Sequence, residues 1–541
     1  MKKILCILAF MFALACVLGS CNFQDVSQET AETTPSETTP AKTTPAETTS
    51  KEPEVTTPKT EEKEEPKAAE LAYKVNADGT TCTITGIGTC KDTDIVIKSI
   101  IDGYTVTAIG DYAFISRTRI NRVTIPDTVT TIGNYAFKNC TNLWTVTIGN
   151  AVTTIGDHAF YGCELLTGVT LGNSVTTIGE SAFQACVNLA QISIPDSVTT
   201  IGTYAFSDCT KLADVELGDS VTIIDNGAFN MCKKLQSITI PDSVTTIGDY
   251  AFCFCISLER ATIGDSVTAI GECAFDSCKQ LVSVEMGNSV ASIGMAAFDG
   301  CEKLKNITIP DSVTVIAYRA FAMCWSLENI TIPDSVTAIE TEGFYGCIRL
   351  KSVTIGKSVT SIGYYAFQGC SLLKEVNIPN SVTTIGVGAF DECFALTEIV
   401  IPDSVITIGN RAFRFCSSLA SVTIGNSVTD IGSEAFDLCR NLENLTIGNS
   451  VTTIGDSAFE SCEKLTSITI PASVTYIGEN AFHYSPKRTS VIFENPNGWW
   501  WTQDKNATSG EAIPAEDLSD PATAVDYLSK VCYYWHRTEQ E

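Results

Sequence analysis

Phenylalanine returns at one interval along most of this chain: Phe114, Phe137, Phe160, Phe183 and onward to Phe482, every 23 residues, 17 times. A strict period of this length excludes a globule built around one centre. It requires stacked windings, each of which buries its apolar side only against its neighbours. The question of function then becomes which face of the stack is used.

One unit reads Leu235-x-x-Ile238-x-Ile240-Pro241-x-x-Val244-x-x-Ile247-Gly248-x-x-Ala251-Phe252-x-x-Cys255. Apolar β-branched residues two apart, with a polar residue between, read as a strand over Ile238 to Ile240. Val-Thr-x-Ile is a second short strand. Pro or Gly followed by Asp or Asn, as in Pro195-Asp196 and Gly149-Asn150, is turn chemistry. Asp249 to Cys255 is too short for a full helix and is expected to form one or two helical turns. The Ala before each Phe is replaced only by Gly343, which predicts close backbone approach there. Gly after Ile is replaced by Asp225, Ala317 and Glu340, so that slot does not demand positive φ.

Fifteen of the 23 Cys fall in phase, three residues after Phe, from Cys140 to Cys462. Equivalent residues of adjacent coils point the same way, which is poor geometry for a bridge. The expectation is a ladder of buried free thiols acting as small hydrophobes with a weak donor. A single row offers no tetrahedral zinc cluster. Cys82 with Cys90, and Cys253 with Cys273, lie outside the ladder, and a bridge in each pair stays open.

The 541 residues carry 63 acidic and 35 basic side chains, a net charge of -28. Nucleic acid and anionic membrane surfaces need clustered Lys and Arg, so neither is expected as a direct partner. The N-terminus has a different character. Lys2 and Lys3 precede an apolar stretch from Ile4 to Leu18, too short for a convincing span. It runs into Leu18-Gly19-Ser20-Cys21, which resembles the bacterial lipobox. That resemblance implies residues 1–20 as a lipoprotein signal peptide, cleavage before Cys21, lipidation of Cys21 and a lipid-anchored place on the bacterial cell surface, the leaflet left open. Residues 21–70 form a Thr-, Pro- and Glu-rich spacer with too few apolar residues to pack. Residues 71–113 hold a degenerate version of the repeat and read as an N-terminal cap entering the first coil. The array fills 114–493, and 494–541 is a C-terminal cap. There Trp499 to Trp501 read as a lid over the last coil, or as an aromatic ligand site. Asp520-Pro521 opens a helix lined by Val525, Leu528 and Cys532.

The full pattern, Val-Thr-x-Ile-Gly-x-x-Ala-Phe-x-x-Cys-x-x-Leu-x-x-Val/Ile-x-Ile-Pro, resembles the BspA-type (Treponema pallidum-type) leucine-rich repeat over about residues 80–493. The resemblance implies a leucine-rich-repeat solenoid of the α/β repeat class, β-dominated with short helical turns, in 17 coils of 23 residues. It implies a non-enzymatic surface protein that binds host or neighbouring-cell surface proteins as an adhesin or interaction module, and it carries over no catalytic residue.

No catalytic constellation stands out: His158, His483 and His536 are far apart in sequence, His158 in a variable slot read as an exposed helical-turn position, and no phosphate loop or nucleophile elbow occurs. No cofactor is expected. The varying outward slots beside each Leu are the candidate partner-binding face: Trp144, Asp214, Glu216, Glu259, Arg260, Lys305, Lys351 and Lys374. Trp144 is the best anchor, since aromatics dominate hot spots. Neutral variation on a solvated face is the bland alternative. Asp196, Asp219, Asp242 and Asp265 fill one turn slot in consecutive coils. Turn preference is the favoured reading, with a bridging Ca2+ the sharper one. Thr153, Thr176, Thr199 and Thr245 suggest a Thr ladder. The reading is a lipid-anchored binding protein; glycan or peptide capture for nutrient uptake, or a passive surface spacer, are the alternatives.

Overall fold

The computed structural model describes residues 70–530 and 533–538. The signal-like segment, Cys21, the spacer and Cys532 lie outside the described residues. The fold is that of the unit Lys67–Glu541.

The repeat folds as a β-solenoid of about eighteen turns, one of them supplied by the N-terminal cap. Each coil contributes two short strands. Val-Thr-x-Ile segments such as Thr177–Ile178 pair in parallel with their equivalents in the coils before and after. Leu-x-x-Ile-x-Ile segments such as Ser237–Ile240 do the same on a second face. Residues along this second strand alternate exposed and buried, so Ile238 and Ile240 point in while Ser237 and Thr239 point out. Register is exact to one repeat, and every apolar residue lies over its counterpart. The Phe rings form one continuous stack from Phe114 to Phe482, with centroids 4.9 Å apart at its start and 5.5 Å at its widest step, Phe298 to Phe321.

The expected helical turns are absent. Asp249 to Cys255 is a chain of tight turns without helix. In each coil the residues two before and two after Phe take left-handed backbone, as at Tyr112 (φ 59°) and Ser116 (φ 56°). The reason is hydrogen bonding. A helix would send every N–H along its own axis. Here alternate amides face the next coil: Tyr112, Phe114 and Ser116 donate to the carbonyls of Asn134, Ala136 and Lys138, at 2.9, 2.7 and 2.7 Å. The amides between them close turns within the coil, Ile115 to Tyr112 at 3.1 Å. Left-handed residues make this alternation possible, at a cost of about 1 kcal/mol each for non-glycine types. The near-invariant Ala is a matter of room: a Cβ at Gly343, in the same slot, would already stand 3.2 Å from Ile339 Cγ2 and 3.3 Å from Ile316 Cγ2, so nothing larger than a methyl fits beneath the spine.

The Cys ladder is made of free, buried thiols. Each Sγ donates back to the Phe carbonyl of the preceding coil, as in Cys163 to Phe137 at 3.2 Å and Cys278 to Phe252 at 3.2 Å. Cys82, Cys90, Cys253 and Cys273 are free as well. The Thr row does more than pack: Thr176 Oγ1 donates to the Thr153 carbonyl at 3.1 Å and Thr222 Oγ1 to the Thr199 carbonyl at 3.0 Å.

Gly after Ile has ordinary φ and is needed for room. A Cβ at Gly294 would stand 2.6 Å from the backbone of Gly271. Asp225 and Glu340 carry a Cβ and keep the ladder bond to the preceding coil, at 3.1 and 2.8 Å. Their carboxylates tie the neighbouring strands: Asp225 accepts from Thr203 Oγ1, and Glu340 from the Tyr318 amide. Ala317 has no such group. At that coil the Val-Thr-x-Ile sheet parts, one sheet ending at Ser292–Ile293 and the next beginning at Val315–Ile316. The second face parts at the same joint, after Asn306–Ile307. The turn spine crosses unbroken, with Phe298 donating to Ala320 at 2.9 Å.

Both ends are closed. Ala72–Val75 pairs antiparallel with Thr81–Gly86, which starts the parallel ladder beside Tyr104–Ile109. At the other end Tyr534–Arg537 runs antiparallel to Tyr476–Ile477 and stops parallel growth. Trp499–Thr502 pairs with that strand, and Trp499 and Trp501 are buried beneath it, which is the lid arrangement. The helix Pro521–Leu528 begins as expected, with the Asp520 carboxylate accepting from the Thr523 amide at 2.9 Å. Arg488 plugs the spine: it is buried and donates to the otherwise orphaned Phe482 carbonyl at 2.9 Å and to Ser529 Oγ at 3.0 Å. Burial pulls its guanidinium down to about 10.

Candidate functional site

Three surfaces remain, and their chemistry differs. On the turn spine, side chains of successive coils pair with one another. Arg411 grips Glu434 through two bonds of 2.9 Å, and Arg414 reaches Asp391 at 3.0 Å. Arg319 bridges Asp299 and Glu342. Tyr112, Tyr135 and His158 stack at 4.9 and 4.8 Å. His158 is therefore a half-buried ring in an aromatic stack on left-handed backbone, and not an exposed helical residue; burial, then Lys138, lowers its basicity. This surface is largely occupied by its own contacts.

The Asp file resolves into a bonding ladder. Asp196 Oδ1 accepts from the Asp219 amide at 3.0 Å, and Asp242 Oδ1 from the Asp265 amide at 2.8 Å. Asp265 Oδ1 accepts from the Asn288 amide at 3.1 Å in the same way, so bonding to the next coil's backbone accounts for three of the four. Among the described residues no group of three or more His, Cys, Asp or Glu is placed to hold a metal ion.

The long-strand face is where the outward residues vary, and two hollows open on it. The larger has a volume of about 880 Å³ and is crossed by the strands from Asp214 to Glu285. Glu216 and Glu285 occupy the same repeat slot three coils apart and flank Thr239 and Thr262, which pair with each other and with Glu285 in register. Asp214, Asp219, Asp242 and Asp265 complete a lining of six carboxylates, with Ile240, Ile263 and Met286 as apolar floor. No Lys or Arg lines it. The smaller hollow, of about 560 Å³, lies over Ser352 to Val400.

The structure brings some of the residues read from sequence together and leaves others apart. Asp214 and Glu216 share the larger hollow. Glu259 and Arg260 are exposed on a strand that crosses it but do not line it. Lys305 and Lys351 converge with Arg349 on Glu328, whose carboxylate is held below its ordinary range, first by the bond from Lys351. That bond measures 2.7 Å. Lys374 follows in the next coil, its amide bonded to the Lys351 carbonyl. Trp144 stands alone, 40% exposed, with the Arg122 guanidinium 4.1 Å from its ring centroid. Sequence reasoning missed Glu285, Met286 and Arg349 as site residues. The signal was present: Glu285 lies three whole repeats after Glu216, so both face outward from one hollow.

These strands, turns and ladders define a leucine-rich-repeat solenoid. A family model described as the BspA type leucine rich repeat region matches residues 90–213, 199–325, 268–397 and 383–498, in six copies. The chain belongs to that family. The crystal structure of a leucine-rich repeat protein from Bacteroides ovatus is 30% identical, covers 78% of this chain and 98% of that one, and superposes with a TM-score of 0.56. A leucine rich cell surface protein from Faecalibacterium prausnitzii is 28% identical over 69% of this chain and 92% of that one, with a TM-score of 0.34. A Treponema pallidum leucine-rich repeat protein is 27% identical over 45% and 92%, with a TM-score of 0.30. No curated protein matches the chain.

Proposed function

We propose that this protein is a lipid-anchored cell-surface binding module, an adhesin that takes protein partners on its long-strand face. One observation carries the reading: a uniform buried frame presents varied, exposed side chains on a face that holds two hollows. Asp219, Asp242 and Asp265 belong to the turn row, and the outward strand positions add Asp214, Glu216 and Glu285 with no basic residue among the lining. Such a hollow favours a basic, extended segment of a partner, because opposite charge steers association and selects register. Cys21 supplies the anchor in this reading, with the spacer holding the array away from the membrane.

Capture of surface proteins from host or neighbouring cells by residues 71–541 tests it. Capture should fall at least tenfold with Asp214→Lys/Glu216→Lys and persist with Tyr204→Ser on the turn spine. Equal capture by both variants would overturn the assignment of face. Binding to polysaccharide panels alone would favour glycan capture, and no binding to either would leave a spacer.

A further inference from the structure

Charge is unevenly placed along the array. Residues 190–300 carry fourteen acidic side chains against five basic ones; residues 301–374 carry six against seven. In a chain of net charge -28 the balance thus turns slightly basic over 301–374, as it also does over 112–150 with four basic side chains against one acidic. The stretch 301–374 bears the outward cations Lys305, Arg349, Lys351 and Lys374. Beside them, in four consecutive coils, large apolar side chains stand out from the surface: Trp325 (41% exposed), Ile348 (44%), Leu372 (44%) and Phe394 (41%). Exposed apolar side chains repeated beside cations, of which Lys351 is already paired with Glu328 at 2.7 Å, have the composition of an interaction surface. Its complement is an acidic concavity with an apolar floor, and this molecule carries one, between Asp214 and Glu285.

We propose that the basic stripe of one molecule docks into the acidic hollow of a second copy, and the reverse, in a two-fold symmetric dimer. The proposal rests on the long-strand face being the binding face and names an occupant for its hollow. The centres of the two patches lie four to five coils apart, roughly 20 Å along the stack at strand spacing. A two-fold axis passing between them sets each patch against its opposite, so both contacts form at once and the interface closes without growing into a filament. The pairing opposes like charge with unlike charge despite the strong net negative charge, and salt weakens it.

Sedimentation of the full chain in mild detergent tests this, followed by two charge-reversed variants. The wild type should sediment as a dimer at about 0.05 M salt and shift toward monomer at about 0.5 M. Asp214→Lys/Glu216→Lys leaves the hollow with four carboxylates against two cations; Lys351→Glu/Lys374→Glu leaves the stripe with two of its cations against two new carboxylates. Each alone should dimerise at least tenfold more weakly, about 1.4 kcal/mol. Mixed in equal amounts, they should form a heterodimer, because only that pairing keeps one unaltered stripe-to-hollow contact. All four positions are exposed, and unchanged thermal unfolding shows that the variants fold. A wild type that stays monomeric, or variants that dimerise as well as it does, would overturn the proposal. Partner capture that still fails with the hollow reversed would, in that event, leave the choice of binding face standing.

Discussion

At the scale of single residues, the ladder cysteines show how a reactive side chain is made inert. Each sits beneath the turn spine with its S–H aimed at a carbonyl one coil back. Burial pushes the thiols up, Cys140 to about 12 and Cys163 well beyond the ordinary range. The thiolate is the reactive species, so these groups should resist alkylation and oxidation in the folded state. Titration with a thiol reagent should find the fifteen ladder thiols silent in the native protein and reactive once guanidinium unfolds it. Rapid native labelling of the ladder would contradict the packing. Asp276 illustrates the opposite case, a charge set where it is costly. Burial, then the neighbouring Asp299 carboxylate, raises it to about 6 from 3.8; Ser277, Cys253 and Arg319 pull the other way. The native state therefore holds an extra proton between about pH 4 and pH 6. Its stabilising contribution is complete below the unfolded value and is lost as pH rises through the folded one. Asp276→Asn should stabilise the protein by about 1–2 kcal/mol at neutral pH, with a smaller gain at pH 5. Denaturant unfolding at the two pH values reads the difference.

Between coils, the joint at Ala317 is the one place among the described residues where the Val-Thr-x-Ile ladder is interrupted. Its amide makes no bond to Ile293, whereas Gly294 bonds to Ile270 at 2.9 Å. The reinforcing carboxamide or carboxylate ladder is missing there too. At some other joints a side chain after the Gly slot accepts the next coil's amide, as Asp157 does for Glu180 at 2.9 Å. Met295 cannot. Amides of residues 314–317 should exchange with solvent faster than those of 291–294, and Ala317→Gly should slow them by letting the strands close. Mass spectrometric hydrogen exchange on both proteins decides it. Much of this scale was legible beforehand. Strand positions, the turn residues and the Cys role follow from period, branching and parallel geometry. The spine did not, because the chain propensities of Asp249 to Cys255 suit a helical turn, and only the demand for amides pointing at the next coil overrides them. Ala317 was visible as an exception to Gly, but its effect depends on what Met295 and Glu340 bring from adjacent coils.

For the molecule as a whole, the two ends carry the burden that the middle avoids. A parallel ladder of short strands ends in open amides and carbonyls that invite further chains. Tyr534–Arg537 and the buried tryptophans close one end, the hairpin of Ala72–Val75 with Thr81–Gly86 the other. Removing residues 494–541 should expose Phe482 and Ile477 and produce concentration-dependent aggregation, visible by light scattering, while truncation within the spacer should not. The candidate site was only half legible at this scale. Outward slots could be read as variable from the repeat alone. Which of them share a hollow depends on coils three periods apart, as with Glu216 and Glu285, and on the stripe of Trp325, Ile348, Leu372 and Phe394 that no single unit reveals.

The N-terminal cap has a bearing on how such a chain assembles. Its two strands meet within fifteen residues of one another, and Tyr104–Ile109, next along the chain, pairs beside them and helps cover Cys82 and Ile84. Once they have met, they offer a finished edge, and each later winding leaves another of the same form. A polypeptide delivered from its first residue onward can settle one turn at a time while the remainder is still arriving. Long intermediates with most of their greasy surface uncovered are then avoided, however many windings the gene encodes.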